Sequence, residues 1–270
     1  MNNLNPAEVI KTTLLIFSEC AVAATKALIK NWIVIPASLV AYLIFLFAAS
    51  VFGSFGIAGG FIAGFFYIGL LTFYYLWMRA ILNKEHLKFK NLNEFDWSVF
   101  LNLISVGFLL WIISMLTSPL AMTEETLWVH ACIQLGMFIL LNALPEVVYI
   151  KRYESVMALR HSFSFIKDNW IEWFLPLLIL FSPLLISRPI HLLTSLSGVD
   201  PFSSGGDPLF PPKMIFESII SYLSAWLGWG SVLLAVTLTD WFMLFRGFLF
   251  QKLDGTTRRR RVYQLSLIHI

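Results

Sequence analysis

The chain has 270 residues, 58% of them hydrophobic and only 13% charged, with a mean hydropathy of +0.77. Soluble domains sit near about 45–50% apolar and about 25% charged, so the solvent for this much apolar surface has to be lipid. That excludes a cytosolic enzyme, a disulfide-built secreted domain and a disordered chain. A net charge of +3 is too small to point to nucleic acid. Cys20 and Cys132 lie far apart, without metal-like or redox spacing, and read as small core residues.

Taken in chain order, the first residues lack the basic start and cleavage site of a removable signal peptide. The first span is therefore expected to act as an uncleaved insertion signal. Residues 1–30 carry Lys11, Glu19, Lys26 and Lys30 among apolar positions. They are predicted to form an amphipathic helix lying along the membrane interface, too polar to span comfortably. A hydrocarbon core of about 30 Å needs about 20 apolar helical residues, and six stretches qualify: 33–52, 57–82, 98–120, 127–150, 170–192 and 215–245.

Short turns would join these spans as three helical hairpins: Gly53-Ser54-Phe55-Gly56, then Met122-Thr123-Glu124-Glu125, then a Gly-, Ser- and Pro-rich loop over 193–214. The last is predicted to be a loosely packed surface loop. The fold class expected is thus all-α: a polytopic membrane protein with six transmembrane helices and interfacial amphipathic helices. Residues 1–264 form a single integral domain.

Every Lys and Arg except Arg188 and Lys213 falls in the N-terminal segment, the loops after the second and fourth spans, or the tail. The positive-inside bias then places both termini in the cytoplasm. Lys30, Trp32, Lys167, Trp170 and the run Arg258, Arg259, Arg260 and Arg261 are expected to anchor the inner interface and attract anionic inner-leaflet lipids.

Ala27-Leu28-Ile29-Lys30-Asn31-Trp32, followed by Pro36 and an apolar span, returns in altered form as Phe165-Ile166-Lys167-Asp168-Asn169-Trp170, followed by Pro176 and another span. Residues 92–100 form a shorter third version. Hairpins that all enter from the same side make this a parallel internal repeat about an axis along the membrane normal. The other source of such likeness is that Lys, Asn and Trp all favour helix starts at this depth.

The stretch Met157-Ala158-Leu159-Arg160-His161-Ser162-Phe163, with Ile166-Lys167-Asp168-Asn169-Trp170, resembles a signature of bacterial six-helix integral membrane proteins. These include the membrane domain fused to some glycerophosphoryl diester phosphodiesterases. The tail Phe245-Arg246-Gly247-Phe248-Leu249-Phe250 is similar to their usual ending. The resemblance implies a six-helix integral protein with no established chemistry of its own. The phosphodiesterase domain has no counterpart here, so that activity does not carry over. Residues 265–270, Leu265-Ser266-Leu267-Ile268-His269-Ile270, resemble a translated sequencing adapter and are read as a non-native tail.

Two polar features stand out. Asn142 and Glu146, four apart on one helix face beside Pro145, and Asp240 in the sixth span form a candidate polar pathway. The alternative is that both acids lie near the inner interface and reach headgroups or nearby Lys and Arg. Gly56, Gly60 and Gly64 make a small-residue row suited to close helix packing, within the chain or in a homo-oligomer. No catalytic, metal or cofactor motif is legible, and prolines near helix ends count mildly against transport. The function expected is a non-enzymatic membrane scaffold or accessory subunit, with a membrane protein partner or a second copy of itself. The alternative is a transporter or lipid-handling protein using Asn142, Glu146 and Asp240.

Overall fold

The computed structural model describes residues 6–88, 92, 94–121, 123–187, 209 and 228–256. All regular elements among them are helical. They are α1 (Pro6–Lys30), α2 (Val34–Gly53), α3 (Gly56–Leu82), α4 (Trp97–Thr117) running into a 3-10 turn (Ser118–Ala121), α5 (Glu124–Leu140), α6 (Leu144–Glu146) continued by a π-helical turn (Val147–Lys151), α7 (Ser155–Ser187) and α8 (Trp229–Leu253). Among the described residues five helices, α1, α2, α3, α4 and α8, are long and apolar enough to cross a membrane, and six if the bent pair α5 and α6 counts as one span. The chain is a multi-pass membrane protein by this measure.

Continuous apolar runs made α2, α3 and α4 fall close to the expected spans. Elsewhere the helices depart from expectation. Ile10–Lys30 meets the requirement for a span in length and hydropathy, because residues 12–29 hold only Glu19 and Lys26 as charges. The helix is still two-faced. Thr12, Ile16, Cys20, Ala24 and Leu28 are buried in a row four residues apart, while Lys11, Glu19 and Lys26 are exposed.

The fourth stretch is broken at residues 141–143 and bends by 44°. The fifth belongs to a 33-residue helix that starts at Ser155, well before the expected 170, and is kinked at Asn169 (φ −128°, ψ 19°). The sixth, in its described part, runs past 245 to Leu253.

The core gathers around α8. Its first half packs on α2, with Ala235 and Val236 against Ile35, Leu39 and Tyr42. Its second half is covered by α1, where Phe17 meets Phe245 edge-on at 6.4 Å and Trp241 donates to Thr25 Oγ1 at 3.0 Å. On another side, Phe165 of α7 packs on Phe250 at 4.6 Å. The chain redirects itself at Asn31 so that α1 and α2 serve different halves of α8. Asn31 Nδ2 donates to the Ala27 carbonyl at 3.0 Å, and Asn169 Nδ2 to the Phe165 carbonyl at 3.1 Å, so both bends hold the same bond four residues back. Of the loop 193–214 only Leu209 is described. It is 1% exposed, against the surface loop expected, and accepts a hydrogen bond from the Tyr75 hydroxyl.

Candidate functional site

A buried polar cluster is built where α6, α7 and α8 converge. The apolar run of α8 carries Arg246 inward at 2% exposure. The break after α5 supplies its partners. Pro145 has no N–H to lose and sits in the first turn of α6. That turn carries Glu146, 0% exposed, with Asn142 in the break just before it.

Arg246 Nε donates to Glu146 Oε1 at 2.7 Å and Nη2 to Oε2 at 2.8 Å, a bidentate fork. Nη1 donates to Asn142 Oδ1 at 3.0 Å, and Nη2 also reaches the Asn142 backbone carbonyl. Trp173 Nε1 of α7 donates to the same Asn142 Oδ1 at 2.9 Å. The guanidinium lies 4.8 Å from the Trp173 ring centroid and 5.8 Å from that of Phe242, within cation–π range. Both carboxylate oxygens are thus taken, and the positive charge is held between rings.

Asp240 belongs to a different centre. Six residues along α8 is about 9 Å of rise and well over one turn, which puts it on another face from Arg246. It is 1% exposed, and its Oδ1 accepts from Ser38 Oγ of α2 at 3.1 Å. The Tyr74 hydroxyl of α3 is its other polar neighbour. No cation pairs with it among the described residues. The two centres are joined by packed rings, since Tyr74, Tyr75 and Tyr149 follow one another at 6.3 and 5.1 Å. Asn142 and Glu146 are therefore brought together, while Asp240 is not added to them. Glu146 finds an arginine, Arg246, as one part of the alternative reading expected, and that pair is buried within the protein.

Arg246 was missed as a site residue because the expected span stopped at 245 and the arginine was read as a boundary marker. The legible signal was one base and one acid, each embedded in apolar sequence and each needing a partner. Arg152 holds Asp96 Oδ2 at 2.8 Å. Asp254 takes both Lys151 at 2.5 Å and His161 Nε2 at 3.0 Å, and Lys252 pairs with Glu19.

A Cβ at Gly56, Gly60 or Gly64 would meet nothing within 4 Å, so this row makes no close packing with the described residues. The close approach is at Gly247 instead, where a Cβ would lie 2.5 Å from Leu82 Cδ1 and 2.9 Å from the Tyr149 hydroxyl. Lys30, Trp32, Lys167 and Trp170 are exposed, with Trp32 at 64% and Trp170 at 59%. Arg258, Arg259, Arg260 and Arg261 lie outside the described residues, as do residues 265–270. Cys20 is buried as expected and Cys132 is exposed. Among the described residues no group of three or more His, Cys, Asp or Glu could hold a metal ion. Comparison with protein-family models, curated proteins and solved structures finds no match for this chain.

Proposed function

We propose that this chain is a non-enzymatic scaffold or accessory subunit of a bacterial cytoplasmic membrane. Three hairpins would enter from the cytoplasm, with both termini on that side and the amphipathic α1 at the inner interface. The observation that carries the reading is the Arg246–Glu146–Asn142–Trp173 cluster. Its charges are spent on one another and join three helical segments, which suits a rigid membrane body better than a group presented to a substrate. The parallel repeat draws support from the matched bonds at Asn31 and Asn169 and from the matched burial of Cys20 with Ala158, Ala24 with Ser162 and Leu28 with Ile166. The glycine row, which no described residue packs against closely, suits contact with a second copy or a partner protein.

Gentle extraction from the native membrane, crosslinking and mass spectrometry test this reading. A stoichiometric protein partner is the expected result. A chain that carries only lipid or a small molecule would overturn it.

A second reading, a transporter or lipid-handling protein, is favoured by one observation: Asp240 is a buried acid with hydroxyl partners and no cation among the described residues. It requires that Asp240→Asn abolish substrate movement while expression is kept. Unchanged movement in that variant would remove it.

A further inference from the structure

At the end of the bundle where α3 stops and α4 starts, a cleft of about 550 Å³ opens between Leu76, Trp77, Arg79, the connecting segment with Glu85, His86 and Glu94, and Arg152. Its walls are tied down. Trp77 Nε1 donates to the Leu92 carbonyl at 3.1 Å, and Leu87 N to Asn31 Oδ1 at 3.0 Å, which fixes the segment to the α1–α2 bend. Asp96 is fully occupied: Oδ1 caps α4 by accepting from Ser98 N at 2.9 Å, and Oδ2 takes Arg152 Nη2 at 2.8 Å. Lys84 and Arg152, beside and within the cleft, both hold left-handed backbone (φ 65° and 59°) without being glycine. Both sit at helix C-termini, where a left-handed residue closes the last turn and fixes the direction of the chain leaving it.

The arginines themselves point to a ligand. Arg79 is half-buried on the last turn of α3 and makes no hydrogen bond or ion pair with the described residues. Arg152 spends a single N–H on Asp96. Two guanidiniums line one cleft with most of their donors unused among the described residues, their mutual repulsion opposed by Asp96 and Glu85, and they match a phosphoryl group, which accepts several N–H bonds. Glu85 and Glu94, both exposed at the rim, add negative charge that a simple anion would avoid and an ammonium would seek. A cleft of this volume is also larger than inorganic phosphate requires.

We infer that this cleft binds a phosphoethanolamine group, its phosphate on Arg79 and Arg152 and its ammonium on Glu85 and Glu94. Exposed Trp97 and Trp32 at the same end place it at headgroup depth, so a phosphatidylethanolamine headgroup is the source favoured. The inference does not depend on whether the chain is an accessory subunit.

The full-length protein in detergent is offered phosphatidylethanolamine and phosphatidylglycerol of the same acyl chains, and the retained lipid is counted by native mass spectrometry. Wild type is expected to retain phosphatidylethanolamine in preference, and Arg79→Gln to lower that retention at least tenfold. Because the Arg79 side chain makes no hydrogen bond or ion pair with the described residues, the variant is expected to keep its unfolding midpoint. Glu94→Gln with Glu85→Gln is expected to remove the preference over phosphatidylglycerol. In a second measurement, carbodiimide coupling of the lipid amine is expected to leave an amide adduct on Glu85 or Glu94. Displacement by soluble phosphoethanolamine at comparable concentration would support the cleft but assign it a soluble ligand. Equal retention in Arg79→Gln, equal retention of the two lipids by wild type, or adducts confined to other carboxylates would overturn the inference.

Discussion

Glu146 and Asp240 are the two most buried acids among the described residues, and their surroundings differ in kind. Glu146 sits at a helix break, faces Arg246 in a two-point fork, and has both oxygens bonded. Asp240 sits in an unbroken stretch of α8, faces the hydroxyls of Ser38 and Tyr74, and has no cation beside it among the described residues. The comparison teaches that burial of a charged residue in a membrane bundle does not by itself mark function. Where the partner is built in, the charge serves architecture. Where only hydroxyls meet it, the group is left available for a role the fold does not consume.

The sharpest way to break this contrast is to strand one charge. Glu146→Ala leaves Arg246 buried and unpaired, and a loss of about 3–5 kcal/mol is expected in denaturant or thermal unfolding of the purified protein. Replacing the pair together, Glu146→Leu with Arg246→Met, is expected to recover much of that loss, since two apolar chains need no desolvation. A double variant as unstable as the single one would mean that the cluster's shape, rather than its charge balance, holds the helices.

Next in size comes Gly247→Ala, which forces a Cβ onto Leu82 and Tyr149 beside the cluster. A cost of about 1–3 kcal/mol is expected by the same measurement. Asp240→Asn keeps an acceptor for Ser38 and is expected to shift stability by no more than about 1 kcal/mol. A larger loss there would put Asp240 on the architectural side. The smallest effect is at Gly60, where an added Cβ meets no described residue within 4 Å. Gly60→Ala is expected to leave the monomer's stability unchanged or raise it by about 0.5–1 kcal/mol through helix propensity. Size-exclusion chromatography in mild detergent would show whether the added methyl separates a dimer.

The spans formed by uninterrupted apolar runs were legible because a 20-residue hydrophobic helix needs no tertiary information. Thus α2, α3 and α4 start and stop near where the composition says they must. The break at residues 141–143 was legible only in part: Pro145 signalled a kink, but the bend sits just before it, at Asn142, where side-chain bonds to Arg246 and Trp173 hold the irregular backbone. The Glu146–Arg246 pair joins residues 100 apart in sequence, a distance that no local pattern encodes. Arg246 looked like the end of a span because an arginine alone would end one; its neutralisation lets α8 continue buried to Leu253. The glycine row was legible only as a permission. Small residues at helical spacing state that close approach is allowed, and only packing tells which side is approached. Leu209 shows the same limit, since a Gly-, Ser- and Pro-rich neighbourhood gave no sign that one leucine would sit against Tyr75 and Gly107.

A double-mutant cycle on unfolding free energy, run for Glu146 with Arg246 and in parallel for Asp240 with Ser38, tests the contrast most directly. The expected result is a coupling above about 2 kcal/mol for the first pair and below about 1 kcal/mol for the second, as a two-point buried ion pair and a single neutral-donor bond should differ. Equal couplings in the two cycles, or additive effects at Glu146 and Arg246, would contradict it.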